Sequence, residues 1–335
     1  MIRTWSRLDR KWRWIGLAAV LAATGLLIAW RISSASPAPT AIAPTPRPTA
    51  ATPTPTPTPT QRPTPSPEPS RSPTPTPTPV TAGFEDGRLT VLVLGSDSDA
   101  HRAAAGAGGL TDAITVVSVR EDGTGLTLIS LPRDTADVAL PDGSVWTAKL
   151  NALAPTLGAE VAQGAIGQLL DVQVDGHVQI DMDDLVRIVD ALGGVTVDVS
   201  RPLADAGCTI GAGVNHFDGA LALCYARHRQ TDDDYARAGR QQVLLLGIRD
   251  AMVGSDLDVR SLIDELGSLQ TNLDLADVGQ LVEVAQHTHG TEARHLVLGP
   301  PDYTDFVGIA GPRGWISTPN VAAIRSSVAQ LLDED

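Results

Sequence analysis

The sequence predicts a three-layer α/β/α sandwich around a central mixed β-sheet, preceded by one transmembrane helix and a disordered Pro/Thr-rich linker. Three observations carry this prediction. From Val91 to Thr135 the chain contains VLVLGSDSD, LTDAITVVSV and LTLISLPRDT, three short runs rich in Val, Ile and Leu separated by glycines, the pattern of buried strands. Beyond Lys149, stretches of helical periodicity alternate with further strand-like runs, which is the pattern of α/β layering. Ahead of residue 84 the composition is not that of a packed domain, since an apolar run is followed by a Pro/Thr repeat.

Arg3, Arg7, Arg10, Lys11 and Arg13 make residues 1–13 a basic tail. The apolar run from Trp14 to Trp30, closed by Arg31, makes 14–31 a signal-anchor, because at about 1.5 Å per residue it just spans a hydrocarbon core. The basic flank holds the amino terminus in the cytoplasm and the tryptophans suit the two interfaces, so everything after Arg31 is expected outside the cell membrane. A cleaved signal peptide is the alternative, with Ser34, Ala35 and Ser36 as the small-residue site, although the apolar run is longer than a typical signal-peptide core. Residues 32–83 hold the linker. Proline at every second position prevents helix and sheet hydrogen bonding, which leaves a polyproline II spacer of about 3.1 Å per residue, reaching on the order of 100 Å. Residues 84–335 are expected to form the exported domain.

Charge narrows the function. Residues 1–83 carry nine Lys or Arg and two acids, and residues 84–335 carry 16 bases against 37 acids. Such an acidic domain lacks the basic footprint that nucleic-acid binding needs. Any cluster of its few cations therefore points to an anionic ligand.

Within the domain, Leu89 to Leu94 reads as the first strand and delivers Asp97 on a loop. The Ala/Gly-rich loop Ser98 to Gly109 is expected to be mobile. Asp112 opens the second strand, Leu126 to Leu131 forms the third, and Pro132 ends it ahead of Arg133. A helical stretch starts at Lys149 and a second helix covers Val161 to Leu170. Then come a strand at Val174 to Ile180, a helix at Met182 to Leu192 with Asp181 as N-cap and Gly193 at its end, and a strand at Val195 to Val199. Asp218 begins a helix running to Arg229, and another spans Tyr235 to Met252. Helical stretches at 258–269 and 275–286, a strand at Leu296 to Leu298 and a helix at Pro319 to Leu332 complete the chain. His287, His289 and His295 have no Cys partner or HExxH pattern and read as surface histidines.

Charged residues at strand ends gather at one rim of such a sheet, which makes Asp97, Asp112, Arg133 and Asp134 site candidates. Arg237, Arg240 and Gln241, at i, i+3 and i+4, share one helix face near an N-terminus, which suits a pyrophosphate. Surface arginines answering Asp232 to Asp234 are the bland alternative. Arg227 and Arg229 lie on different sides of an ideal helix, so both can face one ligand only near its end. Cys208 and Cys224, an even pair outside the membrane, suggest a disulfide whose loop closure stabilises by about 3 kcal/mol, against a free Cys224 in the helix core. These residue types suit phosphoryl transfer: two aspartates hold Mg²⁺ (or Mn²⁺), and arginines with one lysine neutralise the moving charge.

The segments GSDS, TDAITVVSV, SLPRDT, KLNA (149–152), DALGGVTVDV (190–199), YARHR (225–229) and RAGRQQ (237–242) resemble the LytR-CpsA-Psr family in order and spacing, over nearly everything after Leu89. The resemblance implies an exported enzyme that takes a glycopolymer from a polyprenyl-pyrophosphate carrier and joins it, as a phosphodiester, to peptidoglycan. It places metal ligation at Asp97 and Asp112, catalysis also at Arg133 and Arg227, and pyrophosphate binding at Arg133, Lys149, Arg227, Arg229, Arg237 and Gln241, with Arg240 beside them. It also implies an apolar lipid cleft, with 166–170 and 185–189 as candidate walls. Leu110 stands where the family commonly has arginine, and Arg102 is the candidate substitute. A pyrophosphate hydrolase on the same site, and a non-catalytic lipid- or wall-binding module, are the alternative readings.

Overall fold

The three apolar runs pair with one another as the middle of a six-stranded mixed sheet. In the computed structural model β1 (Arg88–Ser96) is antiparallel to β2 (Thr111–Arg120), and β2 is antiparallel to β3 (Leu126–Ser130). The full order is β11 (Gln270–Thr271), β6 (Gly176–Ile180), β1, β2, β3 and β12 (Arg294–Val297), with β6 parallel to β1 and β12 parallel to β3. The structure describes residues 87–104, 109–205, 208–228, 233–253, 270–273, 288 and 291–333. The expected tail, anchor and linker lie outside the described residues, as do Arg229, His287, His289 and the stretches 258–269 and 275–286. The chain divides into two units, Met1–Ser72 and Pro73–Asp335, and every element below belongs to the second.

Strand residues alternate between two cores. Leu92, Leu94, Ile114, Val116 and Ile129 face one side, where they pack against Leu153 of α2 (Leu153–Leu157), Ile166 and Leu170 of α3 (Ala159–Leu170), and Ile324 and Val328 of α7 (Val321–Asp333). Val119, Leu126 and Leu128 face the other side, against Leu245 and Leu246 of the long helix α6 (Asp234–Val253). Helices thus cover both faces, as the apolar runs require, because a strand buried on both sides needs a partner on each.

A second core lies beyond α6. Val195, Val197 and Val199 of β7 (Val195–Val199) and Phe217 of β10 (Gly213–Phe217) pack with Val189 of α4 (Met182–Ala191), Ala222 and Tyr225 of α5 (Gly219–Arg227), and Leu244 of α6. The run read as a strand at 195–199 is one, but it pairs with β10 in a separate two-stranded ribbon and not in the central sheet. Both helices that carry α4 and α5 start on aspartate caps. Asp181 Oδ1 accepts the Asp184 N–H at 2.8 Å while Asp184 reaches back to the Asp181 N–H, and Asp218 Oδ1 accepts the Leu221 N–H at 2.8 Å. Gly193 and Gly194 follow α4 at φ 77° and 98°. A Cβ at Gly194 would lie 2.4 Å from His216 Nε2, so that turn excludes side chains twice over.

Three expectations change. The loop after Asp97 is helical over α1 (Ala100–Ala104), because alanine-rich sequence folds locally where a cap is present: Asp99 Oδ1 accepts the Arg102 N–H at 2.6 Å. The last helix begins at Val321, since Pro319 ends β14 (Trp315–Pro319), the partner of β13 (Thr304–Ile309) in a hairpin. A second unforeseen hairpin joins β4 (Val138–Ala139) to β5 (Val145–Trp146), and a third joins β8 (Leu203–Asp205) to β9 (Cys208–Ile210). Cys208 and Cys224 are bonded, Cα atoms 6.5 Å apart, which ties β9 to α5.

Candidate active site

Antiparallel pairing brings the end of β1, the start of β2 and the end of β3 to one rim. Asp97 follows β1, and its carboxylate accepts the Leu110 N–H at 2.9 Å while its own N–H donates to the Leu110 carbonyl at 2.8 Å. This clamp uses only the backbone of residue 110, so leucine serves it as well as arginine would. Arg102 on α1 reaches the other oxygen of Asp97 at 2.9 Å.

Asp112 is the second residue of β2. Arg133 Nη1 donates to its Oδ2 at 2.8 Å, Asn151 Nδ2 donates to Oδ1 at 3.3 Å, and Arg237 Nη2 donates to its carbonyl at 3.3 Å. Arg133 also donates from Nε to Asp234 at 3.0 Å, and Arg237 lies 3.3 Å from the second oxygen of Asp234. Two carboxylates and two guanidiniums therefore alternate across the junction of β2, β3 and α6. Burial alone would raise the Asp112 carboxyl. The Arg133 charge and hydrogen bond, the Asn151 hydrogen bond and the Arg237 charge outweigh it and hold the carboxyl below the usual carboxylate range. Burial works to lower the Arg133 guanidinium as well, but Asp112 and Asp234 prevail and keep it above its usual value.

Beneath this rim opens a cleft of about 750 Å³ between the sheet and α4, α5 and α6. Val93, Ala113, Ile180, Leu185, Leu223, Leu244 and Ile248 give it an apolar lining, and Asp97, Arg102, Asp112, Arg133, Arg227, Arg237 and Gln241 a polar one. Small strand residues create the space. Gly95 stands opposite Ala113, and a Cβ at Gly95 would come within 2.8 Å of the Ala113 Cβ.

The structure therefore gathers Asp97, Arg102, Asp112, Arg133, Arg227, Arg237 and Gln241 around one opening. It separates two other candidates, Arg240 and Lys149, from it. Arg240, only 9 % exposed, turns aside and donates to the His228 carbonyl at 2.6 Å, because a step of one residue from Gln241 rotates a side chain by about 100° around a helix. Lys149 is not among the cleft residues; its Nζ pairs with Asp134 at 2.6 Å. Arg229 lies outside the described residues. Of the proposed cleft walls, Leu185 is one, whereas Ile166 and Leu170 belong to the core on the opposite face of the sheet. The expected exposed start of α6 is partly occupied, since Asp233 Oδ1 accepts the Ala236 N–H at 2.9 Å. His295 sits exposed on β12 with Nδ1 3.2 Å from Gln242 Oε1. Sequence reasoning missed the roles of Asn151 and Asp234. The first lies within KLNA and the second within the acidic turn, but only tertiary contact reveals what either one holds.

Comparison with known proteins agrees with this architecture. A profile of the LytR-CpsA-Psr family matches residues 61–297. The polyisoprenyl-teichoic acid–peptidoglycan teichoic acid transferase TagU of Halalkalibacterium halodurans is 30 % identical over 200 residues, covering 57 % of this chain and 63 % of that protein. Biofilm regulatory protein A of Streptococcus mutans is 27 % identical over 204 residues, covering 56 % of this chain, which thus spans half the length of that relative. Among solved structures, TagV of B. subtilis superposes with a TM-score of 0.59 at 22 % identity, covering 74 % of this chain and 98 % of that one. TagT solved with bound LIIa-WTA gives 0.58 at 22 % identity, covering 74 % and 91 %. With a central mixed sheet of this order and a profile match across most of its length, the chain belongs to the LytR-CpsA-Psr family.

Proposed function

We propose that this protein transfers a glycopolymer from a polyprenyl-pyrophosphate carrier to a peptidoglycan hydroxyl and leaves it joined as a phosphodiester. One observation carries the reading: arginines and carboxylates share with apolar side chains the lining of one cleft of about 750 Å³, and an amphiphile with an anionic head satisfies both. The names of the related transferases and the LIIa-WTA bound to a fold neighbour support it. The polyprenyl chain lies along Val93, Leu185, Leu223, Leu244 and Ile248, and the pyrophosphate meets Arg102, Arg133, Arg227, Arg237 and Gln241. Arg133 gives its Nε–H to Asp234 and one Nη1–H to Asp112, so both N–H groups of Nη2 and the second of Nη1 can be offered to phosphate oxygens. The acceptor hydroxyl attacks the phosphorus that carries the saccharide, the bond to the polyprenyl phosphate breaks, and the hydroxyl proton is released. The arginines hold charge in place as it moves to the leaving phosphate.

Asp97 and Asp112 suit Mg²⁺ or Mn²⁺, since both offer hard carboxylate oxygens at adjacent strand ends. Among the described residues no group of three or more candidate ligand side chains occurs, so phosphate oxygens and water would complete the shell. When bound, such a cation neutralises charge on the transferred phosphoryl group. The proposal includes the membrane anchor at 14–31, the Pro/Thr spacer and an extracellular catalytic domain, which together keep the cleft on the side where both carrier and wall are found. No helix among the described residues is long and apolar enough to cross a membrane.

Incubating the protein with a lipid-pyrophosphate saccharide, Mg²⁺ and a soluble glycan acceptor tests the reading. The expected product is acceptor carrying saccharide through phosphate. Phosphorylated saccharide released to water, with acceptor unmodified, would instead establish a hydrolase, and lipid binding without turnover would establish a binding module.

A further inference from the structure

Residues 84–335 contain only two tryptophans, Trp146 and Trp315, and both belong to one surface unit. Trp315 opens β14 and is 52 % exposed, cross-strand from Ile309, which is 75 % exposed. Trp146 is half-buried on β5, its indole N–H given to the Lys149 carbonyl at 3.0 Å. Arg313, in the turn between β13 and β14, joins the two hairpins: Nη1 donates to Asp137 at 2.7 Å and to the Thr147 carbonyl at 3.2 Å. The unit is continuous with the reactive rim. The Ser317 N–H donates to the Asp134 carbonyl at 3.0 Å and the Ala136 N–H to the Ser317 carbonyl at 2.8 Å, so β14 is laced to the segment that presents Arg133 to Asp112.

We propose that this double hairpin is the platform for the acceptor glycan, an inference that rests on the transfer reaction proposed above. A sugar ring has an apolar C–H face and an edge of hydroxyls that both donate and accept. An exposed indole offers the flat apolar counterpart, and its electron-rich face attracts the polarised C–H groups. The flanking Arg313–Asp137 and Lys149–Asp134 pairs, both partly exposed, supply donors and acceptors side by side for the hydroxyls. The lipid donor occupies the cleft behind Arg133, so an acceptor on the far side of the 133–136 segment approaches the phosphate without crossing the apolar chain. A bilayer contact is the competing occupant of an exposed Trp–Ile pair, but the pair here is bordered by ion pairs in a domain with 16 bases against 37 acids, which suits an uncharged polyhydroxylated surface better than an anionic one.

The test uses the full chain in detergent and soluble oligosaccharides of N-acetylglucosamine, the uncharged sugar of the peptidoglycan strand, with binding read by calorimetry. Trp315→Ala is expected to weaken oligosaccharide binding by roughly tenfold or more, while Trp315→Phe, which keeps an aromatic face, stays within about threefold. Binding of a lipid-pyrophosphate saccharide, measured in the same samples, is expected to be unchanged by both. Undiminished oligosaccharide binding by Trp315→Ala overturns the platform, even where the wild-type protein transfers. Loss of oligosaccharide binding that Trp315→Phe does not rescue also overturns it, by showing a fold effect. A component of brominated-lipid quenching after reconstitution that is present in the wild type and absent from Trp315→Phe, with no response to oligosaccharide, assigns the surface to the membrane instead. Failure of wild-type transfer with oligosaccharide binding intact sinks the reaction and leaves a glycan-binding face.

Discussion

At the scale of single residues, the site is a set of carboxylates and guanidiniums that neutralise one another. Asp112 and Arg237 are expected to fail differently when removed. Asp112→Ala should abolish turnover and metal dependence together, with lipid-pyrophosphate affinity falling less, because most arginine contacts remain; metal titration followed by calorimetry separates the two effects. Arg237→Ala should lower ligand affinity about tenfold to hundredfold, since it deletes a charge-assisted contact of about 1.5–3 kcal/mol. The depressed Asp112 carboxyl has a further consequence. Its folded value lies below the unfolded one, so its contribution to stability is complete above about pH 4 and is lost as pH falls through the depressed value. Urea midpoints measured from pH 5 to pH 2 should therefore drop more steeply for the wild type than for Asp112→Asn. An equal slope in both would show that Asp112 does not couple to folding.

At the scale of elements, the cleft depends on how α5 and the central sheet are held apart. The bond between Cys208 and Cys224 closes a loop over a sequence separation of 16. Converting Cys208 to serine should cost about 3 kcal/mol by the loop-entropy argument, visible as a lower Tm that no longer responds to reductant. Because α5 also carries Arg227, the same variant should weaken lipid-pyrophosphate binding more than its stability loss alone accounts for. The floor of the cleft is set by small side chains on β1 and β2. Ala113→Leu places a larger group opposite Gly95, and it should reduce affinity for long polyprenyl donors while a short-chain analogue binds nearly as before. Equal affinity for both lipids in the variant would mean that the chain lies elsewhere.

At the scale of the whole molecule, stability resides mainly in the core between the sheet and α2, α3 and α7. Leu92, fully buried there, should cost about 2–5 kcal/mol as Leu92→Ala, whereas Val214, 74 % exposed, should stay within about 0.5 kcal/mol as Val214→Ala. A chain that starts at Ala82 should keep the circular dichroism and cooperative unfolding of residues 84–335. Loss of either would place part of the packed domain inside the Pro/Thr stretch, where the family profile already begins, at residue 61.

Much of this is legible in the sequence. The runs around Leu92, Ile114 and Ile129 are apolar without alternation, and only strands covered on both faces explain that, so the layered α/β class followed directly. Asp181 and Asp218 announced their helices because an N-cap is a local device. The gathering of Asp97, Asp112 and Arg133 at one rim followed from their places at the ends of consecutive strands. What the sequence could not decide involves contacts between distant segments. β7 reads like any buried strand, yet its partner is β10 and not the central sheet. Arg237 and Arg240 look equivalent in RAGRQQ, but a rotation of α6 sends one to Asp112 and the other to His228. Lys149 reads as a site cation and instead meets Asp134. Local propensity and periodicity are written along the chain, and so they determined the elements; register, helix rotation and the choice of ion-pair partner are minima of the packed whole, and only the tertiary structure decided them.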